Sequence, residues 1–186
     1  MKSLILFDTE FTAWKGSQKR NWSKPNEHRE IIQISAYKIK NFKLIDTLNL
    51  VVKPNINKKL STYITKLTGI TNNIVNKKGI SFKAAIEKLY NFSKYYNLYS
   101  YGNDWSVIKE NLELNNIKEK KWDDFKNKCF DFKNYIIENT NIDPNKYTSG
   151  TLYKAFKIKT DIKIHNALDD VKSLYLSFLK INNQDF

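Results

Sequence analysis

The sequence predicts an α/β domain on a mixed sheet, and three observations carry that reading. Three strand-like runs, rich in β-branched and apolar residues, fall within the first 52 positions. Asn41 separates the second and third as a hairpin turn, which makes them antiparallel neighbours. From residue 61 onward helix-like and strand-like segments alternate, a pattern that calls for crossovers and a sheet of mixed direction.

The elements follow in order. Residues 3–8 form the first strand, because Ile5, Leu6 and Phe7 make an apolar run too short for an amphipathic helix. "EIIQISAYKI" (30–39) and "FKLIDTLNLVV" (42–52) are the second and third strands, and the polar, basic stretch 11–29 connects the first to the second. Pro54 ends this sheet run, and "STYITKLTGI" is a short helix closed by Gly69. Ser81 caps a helix over 82–96, with Phe82, Ala85, Ile86 and Leu89 on one face. "NLYSYG" (97–102) is a fourth strand, Trp105, Ile108 and Leu112 mark the helix after it, and "CFDF" (129–132) is a fifth strand. The last helix starts near Asn166, with Ala167, Val171, Leu174, Tyr175 and Phe178 at helical spacing. There is no repeat, low-complexity tract or linker, so residues 1–186 are expected to form one domain.

Bulk properties bound the function. No apolar run is long enough to cross a membrane, and acids at positions 8 and 10 interrupt what a secretory leader would need, roughly 7–15 apolar residues. The single cysteine, Cys129, excludes an internal disulfide and suits a reducing cytoplasm. A net charge of +13 points to a polyanionic partner, most simply nucleic acid. That charge is discounted, because only Arg20 and Arg29 are arginines among 32 basic residues, and Lys, Asn and Ile rise together in A/T-rich coding sequence.

Three short motifs carry acids to the ends of these elements. Asp8 and Glu10 share a face of the first strand, with Cα atoms roughly 7 Å apart. Such a pair can converge on two divalent ions about 3.5–4 Å apart, although a lone D-x-E is more often a solvated strand end. Asp104, in "YSYGND", opens a helix after a strand and a glycine, where the helix dipole alone would favour it. In "IHNALDD", His165 precedes the last helix and Asp169 and Asp170 lie in its first turns. A histidine beside carboxylates suits proton transfer, and a helix-entry histidine is an equal alternative.

Taken jointly, acid-x-acid on the first strand, Gly-x-Asp after a middle strand and His-x-Ala-x-x-Asp at the last helix resemble the DEDDh 3′–5′ exonuclease family. The matching residues are Asp8, Glu10, Asp104, His165 and Asp170, in the family's chain order, and "EIIQISAYKI" and "TKLTGITNNIV" resemble further family segments. The resemblance implies an RNase H-like fold, here a mixed five-stranded sheet flanked by helices. It also implies two divalent cations, Mg²⁺ or Mn²⁺, held by Asp8, Glu10, Asp104 and Asp170, with His165 taking the proton of the attacking water. Hard oxygen donors suit such ions. Helix geometry alone would pair Asp169 with His165 at i+4, whereas the family pattern selects Asp170 and requires His165 to stand in the loop before the helix.

By the same resemblance, Thr9, Phe11 and Thr12 line the terminal-nucleotide pocket. In the loop after the first strand, Trp14 and Trp22 among lysines either form a phosphate-attracting rim with a stacking surface or fold back on the core. The expected substrate is single-stranded nucleic acid, RNA slightly favoured over DNA, because the long first connection is closest to the enhanced-RNAi-type branch. A catalytically silent nucleic-acid-binding module with the same fold is the competing expectation.

Overall fold

The computed structural model describes residues 2–184. Strand β1 (Leu4–Phe11) is apolar on both faces as far as Phe7 because both faces are covered. Leu4 and Leu6 pack into a cluster with Ile136, Leu152, Val171, Leu174 and Phe178. Ile5 and Phe7 point the other way, towards Ile86, Leu89, Ile108 and Phe125. The alternation continues past the apolar run, so Asp8 and Glu10 emerge on the face of Leu4 and Leu6.

Strands β2 (Ile31–Lys40) and β3 (Lys43–Lys53) complete an antiparallel meander with β1. The turn between them places Asn41 and Phe42 at φ values of 50° and 65°, the twist a two-residue hairpin requires. Helices α1 (Thr62–Thr68) and α2 (Asn72–Lys78) follow, then β4 (Ile80–Ser81) and α3 (Phe82–Phe92). The chain continues through β5 (Leu98–Ser100), α4 (Asp104–Leu114), α5 (Lys121–Lys126), β6 (Cys129–Asp131) and α6 (Phe132–Asn139). A 3-10 helix over Ser149–Phe156 and helix α7 (Ala167–Ile181) close it. Strand order is β4-β3-β2-β1-β5-β6, with β4, β5 and β6 each parallel to its neighbour.

The sheet is therefore mixed and flanked by helices as expected, with six strands among the described residues where the sequence indicated five. The addition, β4, is two residues long and leaves no period to detect. The first strand runs to Phe11 rather than stopping at 8, so both acids sit within paired strand. The helix expected to reach residue 96 ends at Phe92: the Ser93 hydroxyl donates to the Tyr90 carbonyl, and Tyr95 takes a φ of 67°. The fourth strand is shortened to Leu98–Ser100 because Gly102, at φ +104°, turns the chain out of the sheet. No helix among the described residues is long and apolar enough to cross a membrane.

Candidate active site

Three of the acids meet where α7 crosses β1. Leu4, Leu6, Val171, Leu174 and Phe178 lock α7 across β1, and burying each such side chain contributes about 1.5–3 kcal/mol. That packing brings Asp170, near the start of α7, opposite Asp8 and Glu10. One carboxylate oxygen from each of Asp8, Glu10 and Asp170 lies within 4.8 Å of the others. Asp170 Oδ2 accepts a 3.2 Å hydrogen bond from the Ser149 hydroxyl, whereas its Oδ1 is buried without a partner.

Asp104, at the start of α4, falls outside that three-acid group but stands near enough to Asp8 to act on its charge, and it is tied to β1 through Thr9. Its Oδ1 accepts a 2.5 Å bond from the Thr9 hydroxyl. The turn that delivers it is fixed at both ends: Asp131 accepts from the Gly102 N–H at 3.0 Å, and Asn103 caps α4 by accepting from the Ser106 N–H. Asp131 thus has a structural part that its lack of a motif concealed.

The start of α7 is held as firmly. Asn166 accepts from the N–H groups of Leu168 and Asp169. The Ala167 N–H donates to Gln33, a buried residue directly opposite Glu10 on β2, and Gln33 in turn donates to Asn49. His165 stands outside the helix in a turn, at a φ of 68°, half-buried. Asp169, on the first turn, is not part of the Asp8–Glu10–Asp170 group.

Crowding these acids away from water disfavours their charged forms. Burial, then the neighbouring Asp104, Asp170 and Glu10, hold the Asp8 carboxyl well above the usual range. Burial, then Asp170 and Asp104, push Glu10 up to about 8. Burial raises Asp170 to about 7 and Asp104 to about 6, the latter restrained by the Thr9 hydrogen bond. Burial lowers His165 below its ordinary value, which leaves its ring neutral at neutral pH and able to accept a proton. Adjacent acids carrying an unpartnered buried oxygen fit a bound hard divalent cation, which would hold them ionised.

Beside Glu10 and His165 opens a cavity of about 180 Å³ whose walls include Phe11, Trp22, Tyr63 and Leu67. Of the four residues expected to contact substrate, Phe11 lines it. Thr9 is tied to Asp104, and the Thr12 hydroxyl is engaged by the His28 carbonyl and the Glu30 N–H. Trp14 is half-buried, its backbone N–H donating to the Ser17 hydroxyl. Trp22 folds back: its ring packs on Phe11 at 5.6 Å and its Nε1–H donates to the Thr12 carbonyl. Arg20 is paired with Glu27, so Lys15, Lys19 and Lys24 are the exposed cations of this loop. Tyr63, Leu67 and Ser149 carry no acid or histidine motif, and although Leu67 lies within "TKLTGITNNIV", only the fold shows that these side chains reach the site.

Comparison with known proteins agrees with this architecture. The exonuclease family model RNase_T matches residues 5–178. A DNA polymerase III PolC-type protein of Caldanaerobacter subterraneus subsp. tengcongensis is 30% identical over 183 residues, 95% of this chain. The chain spans 11% of that relative's length. Among solved structures, the nuclease domain of 3′hExo, a DEDDh family member bound to rAMP, superposes with a TM-score of 0.80 at 20% identity, covering 98% of this chain and 92% of that one. The zinc-bound complex of E. coli ExoI with ssDNA gives a TM-score of 0.69 at 18% identity, covering 97% of this chain and 41% of that one.

Proposed function

The chain belongs to the exonuclease family, and from that premise we propose that residues 1–186 act as one metal-dependent 3′–5′ exonuclease domain. Its substrate is single-stranded nucleic acid, from which it releases nucleoside 5′-monophosphates. The observation that carries this reading is the meeting of Asp8, Glu10 and Asp170 with an unpartnered buried oxygen on Asp170. These three, with Asp104 beside Asp8, would hold two divalent cations, Mg²⁺ or Mn²⁺. When bound, such ions stabilise the charge that develops on the phosphate and on the departing 3′ oxygen.

The protein's own groups do the rest. The terminal nucleoside enters the cavity beside Glu10 and stacks against the Phe11 and Trp22 wall. His165, neutral and free of the helix, removes a proton from the water that attacks phosphorus. The bond from phosphorus to the 3′ oxygen breaks and that oxygen takes up a proton from solvent, leaving a 5′-monophosphate and a strand one nucleotide shorter with a new 3′ hydroxyl. Lys15, Lys19 and Lys24 attract the phosphates of the strand.

RNA is favoured over DNA. A related fold has been seen with rAMP and another in 3′-end recognition of a histone mRNA stem-loop, although a third holds ssDNA. The lone cysteine suits a reducing cytoplasm. The test compares strands of one sequence, ribo and deoxy, labelled at either end, in Mn²⁺ and in EDTA. A 3′ label released first, as a mononucleotide and only with metal, is expected. Binding without turnover would instead assign a silent nucleic-acid-binding module.

A further inference from the structure

The start of the 3-10 helix, Ser149–Phe156, borders the acids, with the Ser149 hydroxyl in reach of Asp8 as well as of Asp170. Gly150 there is buried and does not take a left-handed φ, so its backbone makes no demand for glycine. Space does. A Cβ on Gly150 would stand 2.2 Å from Asp170 Oδ1 and 2.9 Å from Asp170 Cγ, inside any allowed contact. The Asp170 carboxylate therefore packs its Oδ1 edge against a bare backbone. Its Oδ2 is held by the Ser149 hydroxyl at 3.2 Å, while Oδ1 stays buried and unbonded. One oxygen is fastened and the other packed unbonded against the Gly150 backbone, on the carboxylate that meets Asp8 and Glu10.

We propose that Ser149 and Gly150 are positioning residues for Asp170: the hydroxyl fixes the rotation of its carboxylate and the missing side chain gives it the room to reach the divalent-cation site. The inference rests on the metal-dependent reading above. A methyl at position 150 must drive Asp170 off its rotamer, because Asp170 is buried and α7 is locked by Val171, Leu174 and Phe178. A ligand so displaced weakens metal binding without any change in the ligand set. Removing the Ser149 hydroxyl releases the carboxylate without adding bulk.

The experiment titrates Mn²⁺ into the full chain by calorimetry, which reads metal affinity independently of turnover. Gly150→Ala is expected to lose about 10–100-fold in affinity, as disturbance of a ligand's support commonly does. Ser149→Ala should lose affinity too, by several-fold. In an Asp170→Ala background, Gly150→Ala should cost nothing further, because the clashing carboxylate is gone. Affinity within twofold of wild type in Ser149→Ala, or in a folded Gly150→Ala, overturns the proposal. So does an equal penalty from Gly150→Ala with and without Asp170, which would put the clash on Ile164, the next nearest atom at 3.2 Å. Should Gly150→Ala fail to fold, Ser149→Ala and the Asp170→Ala pair decide. A wild-type chain that binds no Mn²⁺ sinks the functional reading itself and this inference with it.

Discussion

Raising the pH of the metal-free protein should destabilise it, and bound metal should cancel the loss. In an unfolded chain the site carboxyls ionise near pH 4. In the fold, Asp104 keeps its proton to about 6, Asp170 to about 7 and Glu10 to about 8, and Asp8 is raised as well. Below pH 4 both states are protonated and these groups cost nothing. Between pH 4 and 8 the folded state binds more protons than the unfolded one, so stability falls as pH climbs through this range. Asp104, raised least among the three, accounts on its own for on the order of 3 kcal/mol at roughly 1.36 kcal/mol per tenfold change in proton affinity. For a chain of this length that is roughly 10 °C in Tm. The assay is calorimetric melting in EDTA from pH 5 to 8.5, repeated with saturating Mn²⁺, for wild type and Glu10→Gln. A falling Tm in EDTA, a flatter fall in Glu10→Gln and a level profile in Mn²⁺ are expected. A Tm that holds or rises between pH 5 and 8 in EDTA, or a slope unchanged by Glu10→Gln, would refute the crowding argument.

Replacing His165 by Ala should lower kcat by about 10²–10⁴-fold with little change in substrate binding, and erase the acidic flank of the pH–rate profile; steady-state kinetics across pH checks both. Asp170→Asn should abolish most turnover while Asp169→Asn keeps it, since only Asp170 joins Asp8 and Glu10; the reverse ranking would reassign the ligand. Lys15→Gln with Lys19→Gln should flatten the log–log salt dependence of oligonucleotide binding by roughly 1.4, about 0.7 per lost phosphate contact. Adding Arg20→Gln should change that slope little, because Arg20 is engaged by Glu27.

Much of the architecture is legible in the chain because local chemistry and fold agree there. The Asn41 turn, the Gly69 helix end at φ 76°, the cap at Ser81 and the start of the last helix near Asn166 all occur where the sequence put them. Short elements escaped: α2 spans one apolar repeat, β4 two residues, and α5 has no side-chain cap at its start. At the site, the motifs named the carboxylates, but their surroundings depend on contacts between distant segments. Thr9 reaches Asp104 across 95 residues, Gln33 reaches Ala167 across 134, and Gly150 is defined by a carboxylate 20 positions later, which no periodicity encodes. The loop after β1 offered two readings; its Trp22 took the inward one because Phe11 and the Thr12 carbonyl give it both a packing face and a hydrogen-bond acceptor.

The most direct test of the account follows a 5′-labelled single strand over time with wild type and Asp8→Ala, in Mn²⁺ and in EDTA. A ladder shortening one nucleotide at a time from the 3′ end, only with wild type and only with metal, is expected. Internal cleavage products, metal-independent shortening, or an undiminished ladder from Asp8→Ala would contradict it.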